Sequence, residues 1–199
     1  MSLSFLIYCL AGGRTGLVNR LQFHVSHKFG DEKRLMSHHQ LLHDVIEDQL
    51  TLASMHYLRG HYQEAIDIYK RLLLENRELH ALNVYVAMCY YKLDYFDVAQ
   101  EVLQVYLQSH GESVTALNLR AATHYKLYNA RAAESELRSL QELISPSFVF
   151  AQDLIRHNLV VFRNGDGALQ TLVPLVDVIP EARLNLVIHY LRQGACVCE

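Results

Sequence analysis

Histidine is the residue type in this sequence best suited to chemistry, with twelve copies among 199 residues. His39 and His43 are four positions apart, a spacing that on a helix would place two imidazoles on one face; His38, Asp44 and Glu47 lie close by. Zinc sites often use such imidazole pairs. The spacing fixes no third ligand and there is no H-E-x-x-H motif, so we predict no metal site. A metal-dependent hydrolase centred on His39 and His43 is the alternative from the enzyme class.

The four cysteines and the possible nucleophiles add no further chemistry. No cysteine belongs to a C-x-x-C pair, and the two-residue spacing of Cys196 and Cys198 suits neither a simple disulfide nor a zinc knuckle. No nucleophile–base pair follows from the spacing of Ser, Cys or Asp. We therefore predict a non-enzymatic protein of a reducing compartment, with no cofactor and no small-molecule substrate.

Composition and charge exclude two further classes of function. The net charge is −3 and the pI about 6.4, with no basic stripe that could follow a phosphate backbone, so we expect no nucleic-acid partner. Residues 1–10 form a short apolar run that has no basic residue ahead of it and is too short to cross a bilayer. We predict no membrane span.

A repeat of 34 residues organises the sequence between residues 46 and 147. In each of three copies, a small residue is followed by Tyr four positions later and by a second Ala twelve positions later. This rhythm is the tetratricopeptide signature. The two alanines allow a pair of antiparallel helices to approach closely, and larger residues fill the space between units. The residues in register are Ala53, Tyr57 and Ala65; Ala87, Tyr91 and Ala99; and Ala121, Tyr125 and Ala133.

The repeat predicts an all-α protein, an α-solenoid of tetratricopeptide-type helix-turn-helix units. We divide the chain into a divergent segment (1–16), degenerate repeat helices (17–45), three clean units (46–147), a degenerate repeat with an unpaired final helix (148–193), and a tail (194–199). Asp31 and Ser147 are predicted to cap the helices that follow them. Pro174 should kink or end its helix, and Pro180 should lie in the first turn of the last one.

The helical spacing of apolar residues predicts two further apolar helix faces. One lies on the first predicted helix, where four apolar residues are spaced four apart. The other lies on the final helix, which has no second helix to pair with and leaves its apolar residues without an obvious cover. The residues are Leu17, Leu21, Val25 and Phe29 on the first helix, and Leu184, Val187, Ile188 and Leu191 on the last.

Four stretches resemble one family closely: HYQEAIDIYKRLLL (61–74), ALNVYVAMCYYKLDYFDVAQEVL (81–103), LIRHNLVVFRNGDGALQ (154–170) and LVDVIPEARLNLVIHYLRQ (175–193). The family is the tetratricopeptide-repeat subunit of intraflagellar transport complex B, also called tetratricopeptide repeat protein 26. The resemblance implies a scaffold or adaptor that supports cilium assembly and transport of ciliary motility components. It implies subunits of the complex and ciliary cargo as partners, and the cilium and ciliary base as the location. Family members are longer, so we expect a truncated or alternative form.

In this type of repeat the first helix of each unit lines the concave groove. Its inward positions carry aromatic side chains and cations that could hold a partner segment. The alternative for the tyrosines is that they only brace adjacent units. A generic, co-chaperone-like peptide adaptor and an inert truncated isoform are the alternative functions. The predicted groove residues are Tyr57, Val84, Met88, Tyr91, Lys92, Asn118, Tyr125 and Lys126.

Overall fold

A computed structural model of the chain describes residues 15–195, and every regular element in that range is a helix. The predicted all-α fold of solenoid-type helix-turn-helix repeats is confirmed. Residues 1–14, Cys196 and Cys198 lie outside the described range. The helices are α1 (Thr15–Lys28), α2 (Glu32–His39), α3 (Ile46–Leu58), α4 (Tyr62–Glu75), α5 (Leu82–Lys92), α6 (Phe96–Leu107), α7 (Val114–Lys126), α8 (Ala130–Leu143), α9 (Val149–Phe162), α10 (Ala168–Leu172) and α11 (Pro180–Ala195).

None of these helices within residues 15–195 is both long enough and apolar enough to pass through a membrane.

The chain divides into two compact units, Met1–Leu93 and Asp94–Glu199. Within the described residues the first unit holds α1 to α5 and the second holds α6 to α11. The boundary falls between α5 and α6, which are the two helices of the second predicted repeat. The finer division into degenerate and clean repeats, drawn from the 34-residue period, stays a prediction.

In the first unit, α3 and α4 pack as a pair, as do α4 and α5. Ala53, Ala65 and Ala87, one on each helix, have no exposed surface. A side chain no larger than a methyl group at each position lets the helix backbones approach closely. Leu72 on α4 and Val86 on α5 add larger buried side chains. The small-residue register predicted from the sequence is therefore the packing register of this unit.

Helix α1 packs in the same unit, but not through the predicted face. Phe23 is the buried apolar side chain of α1, and it clusters with Leu35 on α2 and Met55 on α3. An ion pair fixes this orientation, because Arg20 Nη1 lies 2.7 Å from Oδ1 of the buried Asp48 on α3. The predicted apolar face is exposed instead, at Leu17, Leu21, Val25 and Phe29.

In the second unit, α7 and α8 form the third predicted helix pair. Ala99, Ala121 and Ala133 are fully buried, as the small-residue register requires. Polar links join successive helices. Arg120 on α7 pairs with Glu136 on α8, and Arg163 after α9 donates from Nε and Nη2 to Glu134 Oε1, at 3.0 and 2.9 Å.

Two helix ends test the predicted caps. Asp31 precedes α2, and its Oδ1 accepts a hydrogen bond from the backbone N of Arg34 at 3.0 Å, as predicted. The prediction for Ser147 is wrong. Phe148 occupies the N-cap position of α9 and makes no capping bond, while the Ser147 hydroxyl lies 2.8 Å from that of Ser145. Ser145 Oγ also accepts from the backbone N of Ser147 at 3.4 Å, so the two serines form a local turn before α9.

The last part of the second unit follows the proline predictions. Helix α10 ends at Leu172 and continues as a short 3₁₀ turn, Val173–Leu175, that contains Pro174. Pro180 is the first residue of α11. Ala182 on α11 is fully buried, whereas the predicted uncovered face is exposed, at Leu184, Val187, Ile188 and Leu191.

Candidate partner-binding site

Among the predicted groove residues of the first unit, Tyr57 lies near the C-terminal end of α3 and the others lie on α5. The Tyr57 ring meets the Tyr62 ring edge-on, with 5.4 Å between centroids. Burial, with smaller contributions from Cys89 and Tyr62, raises the pKa of Tyr57, so its hydroxyl stays protonated and able to donate a hydrogen bond. Met88 and Tyr91 are half-buried and Lys92 is exposed. These four residues offer surface to a partner.

Val84 does not. It is only 5% exposed on α5 and belongs to the packed interior of the first unit. Its position in the repeat predicts a groove-facing side chain, but almost none of the Val84 side chain is exposed. The structure therefore corrects the predicted role of Val84 from partner binding to core packing.

In the second unit, Tyr125 near the end of α7 stacks on Phe162 of α9, with 4.7 Å between ring centroids and 23° between planes. The ring is half-buried. Tyr125 therefore braces the first helices of two successive helical pairs, as the alternative interpretation of the tyrosine row requires. Lys126, the next residue, is exposed, and its Nζ lies 5.8 Å from the centroid of the Phe96 ring.

Asn118 begins a polar network that the sequence did not indicate. Its Oδ1 accepts from Asn158 Nδ2 at 3.1 Å, and Asn158 Oδ1 lies 3.0 Å from Nδ1 of the buried His157. His157 Nε2 lies 2.9 Å from Asn185 Nδ2. The network joins α7, α9 and α11. Because these contacts are not periodic in the sequence, no spacing rule could have found them. They give Asn118 a structural role besides any contact with a partner.

A cleft in the second unit is lined by residues of three turns: the turn before α6, the turn between α7 and α8, and the turn after α9. Asp94 precedes α6, Tyr128 separates α7 from α8, and Asn164 follows α9; all three line the cleft together with Phe96 and the two groove residues Tyr125 and Lys126. Tyr128 is not among the residues predicted from the sequence. The signal was present, because Gly60, Asp94 and Tyr128 recur at 34-residue intervals in equivalent turns.

The structure separates the two histidines of the metal hypothesis. Helix α2 ends at His39, and His43 lies beyond it, with its backbone N donating to Asp48 Oδ2 at 2.9 Å. The two imidazoles therefore do not share one helical face, as the metal hypothesis would require. His38 contacts Asn19, with Nδ1 2.8 Å from Oδ1. Within residues 15–195, no three His, Cys, Asp or Glu side chains gather as metal ligands would.

Cys89 is the cysteine within the described range, and it is free and buried on α5. Burial raises the pKa of its thiol to about 12. The thiolate that would act as a nucleophile is therefore scarce at neutral pH.

Comparison with known proteins agrees with the repeat architecture. Residues 8–197 match the family of Intraflagellar transport protein 56. The chain is also similar to the Intraflagellar transport protein 56 homolog of Caenorhabditis elegans, with 35% identity over 197 residues, covering 91% of this chain and 34% of that relative. The chain thus spans about a third of the relative's length. The resemblance carried by the four sequence stretches is confirmed, and the chain belongs to the intraflagellar transport protein 56 family.

Proposed function

We propose that the chain is a non-enzymatic scaffold of intraflagellar transport complex B that supports cilium assembly and the transport of ciliary motility components. Its partners are protein subunits of that complex and ciliary cargo, and it acts at the cilium and the ciliary base. The observation that carries the proposal is the family match over residues 8–197, which includes all three clean repeats.

The side chains along the first helices of the repeats support a protein partner. Half-buried Met88 and Tyr91 lie beside exposed Lys92 on α5, and Lys126 ends α7. Aromatic and methionine side chains supply contact area, and an adjacent cation favours acidic groups on the partner. Such a surface suits an apolar segment that also carries carboxylates.

The test is affinity capture from an extract of ciliated cells. The tagged chain should enrich subunits of complex B identified by mass spectrometry, with a full-length family member as the positive control. If the full-length protein captures the complex and this chain captures none of its subunits, the chain is inert and the proposal is overturned.

The groove is tested with the captured subunits by replacing Lys92→Glu. A glutamate would repel acidic groups on the partner, and we expect a loss of affinity of about tenfold, or ~1.4 kcal/mol. Lys33→Glu on α2 is the matched control, because Lys33 is also an exposed lysine of the first unit. Equal affinity of the two variants would remove Lys92 from the partner surface.

A further inference from the structure

The cleft across the three turns of the second unit is lined by several residues with left-handed backbone conformation. Among the described residues, the non-glycine residues with positive φ are Asp94 at 62°, Tyr128 at 60° and Asn164 at 56°. All three line this cleft. In the equivalent turn of the first clean repeat, the left-handed position is filled by Gly60, with φ of 80°.

Tyr128 is the exceptional member of the three. Asp and Asn tolerate the left-handed region because their short polar side chains bond locally, whereas a bulky aromatic residue there is strained. The Tyr128 side chain is 98% exposed and makes no hydrogen bond or ring contact with the other described residues. The ring therefore contributes nothing to the packing of its own unit. A strained backbone conformation whose side chain adds nothing to packing is typical of functional positions.

The residues around Tyr128 indicate which chemical groups a partner should present to the cleft. Lys126 Nζ lies over the Phe96 ring, and the ion pairs within 4.0 Å among residues 15–195 do not include it. An exposed cation beside an aromatic ring favours a carboxylate next to an apolar side chain. Asp94 lines the same cleft and would repel a run of acidic residues. With a single lysine in the cleft, a phosphate-rich ligand is poorly matched.

We propose that this cleft, with Tyr128 as its anchor, docks a protein segment that presents a single carboxylate to Lys126 and an apolar side chain to Tyr128 and Phe96. The inference deepens the proposed function, on which it rests, because it assigns one subunit contact of the scaffold to a defined cleft. This contact at the turns between helices is additional to the one proposed for the inner faces of the first helices.

The experiment uses the whole chain and an array of overlapping synthetic peptides that cover the other subunits of the transport complex. Tyr128→Asn keeps a residue that tolerates the left-handed region and removes the ring. We expect binding of the selected peptides to weaken at least about tenfold, with the melting temperature unchanged or raised. Lys126→Glu should weaken the same peptides, as should replacing their carboxylate residue by its amide.

Phe29→Asn is the matched control, because Phe29 is an exposed aromatic residue in a turn of the first unit. It should leave peptide binding unchanged. The inference is overturned if Tyr128→Asn binds the peptides within about twofold of the parent, if its melting temperature falls, or if the bound peptides lack a carboxylate. Capture of complex subunits by the parent chain separates the two proposals: without it the proposed function fails, whereas with it only the assignment of this cleft is lost.

Discussion

At the residue scale, the alanines of the repeat show how little side chain the fold tolerates where its helices cross. All six predicted positions, from Ala53 to Ala133, have no exposed surface. Each extra methylene at such a site must displace a neighbouring helix or force a side chain away from its rotamer. These positions have no room for a larger side chain, so even a small addition there should lower the stability of the fold considerably.

We expect Ala87→Leu to lower the free energy of unfolding by roughly 1–3 kcal/mol, because the added isobutyl group overpacks α5. Thermal or urea denaturation measures the change. Ala81→Leu is the control, since Ala81 is exposed just before α5, and it should change stability by less than about 0.5 kcal/mol. Equal stability of Ala87→Leu and the parent would show that the register is wrong.

At the element scale, the packing of α1 depends on one charge as well as on the apolar Phe23. Asp48 on α3 is buried, and it accepts hydrogen bonds from Arg20 Nη1 at 2.7 Å and from the His43 backbone N at 2.9 Å. Burial raises the pKa of Asp48, but the hydrogen bonds from His43 and Arg20 together outweigh it and leave the pKa below its usual value. The ionised form is the form that holds α1.

Because the folded pKa of Asp48 is depressed, its contribution is present above the unfolded pKa of about 3.9 and is lost as the pH falls through the lower folded value. We expect Asp48→Asn to cost about 2 kcal/mol at neutral pH, and much less once the pH falls from about 5 to about 2. Urea denaturation across that range measures the difference. Asp44→Asn, at an exposed carboxylate nearby, should show no such convergence. A penalty for Asp48→Asn that stays constant with pH would contradict the ionic account.

The sequence predicted most of this architecture because small residues at fixed spacing report a packing constraint directly. Pro174 likewise predicted correctly where α10 ends. The exposed face of α1 could not be predicted, since periodicity identifies an apolar stripe but not the partner that covers it, and the Arg20–Asp48 pair joins residues 28 positions apart. Ser147 is not the cap because α9 begins one residue later than predicted, which puts Phe148 at the N-cap position. Tyr128 recurs in register with Gly60 and Asp94, but only the structure shows its positive φ and its place in the cleft.

At the scale of the whole molecule, the twelve histidines should leave stability independent of metal. His39 and His43 are separated by the end of α2, and the described residues gather no set of three potential ligands. We expect treatment with EDTA to leave the melting temperature unchanged, and metal analysis of the purified chain to find zinc well below one atom per molecule. Bound zinc normally stabilises the fold that holds it, so a fall in melting temperature on chelation would restore the metal hypothesis.

The division of the chain after Leu93 is offset by one helix from the 34-residue repeat. A chimera cut at a repeat boundary, near His80, would take α5 from one parent and α4 from the other, although the two pack within one unit. A junction between Leu93 and Asp94 would instead inherit each compact unit intact. The tolerated junction therefore lies between the two helices of the second repeat, and a donor segment that ends at Leu93 would bring both faces of the α4–α5 contact with it.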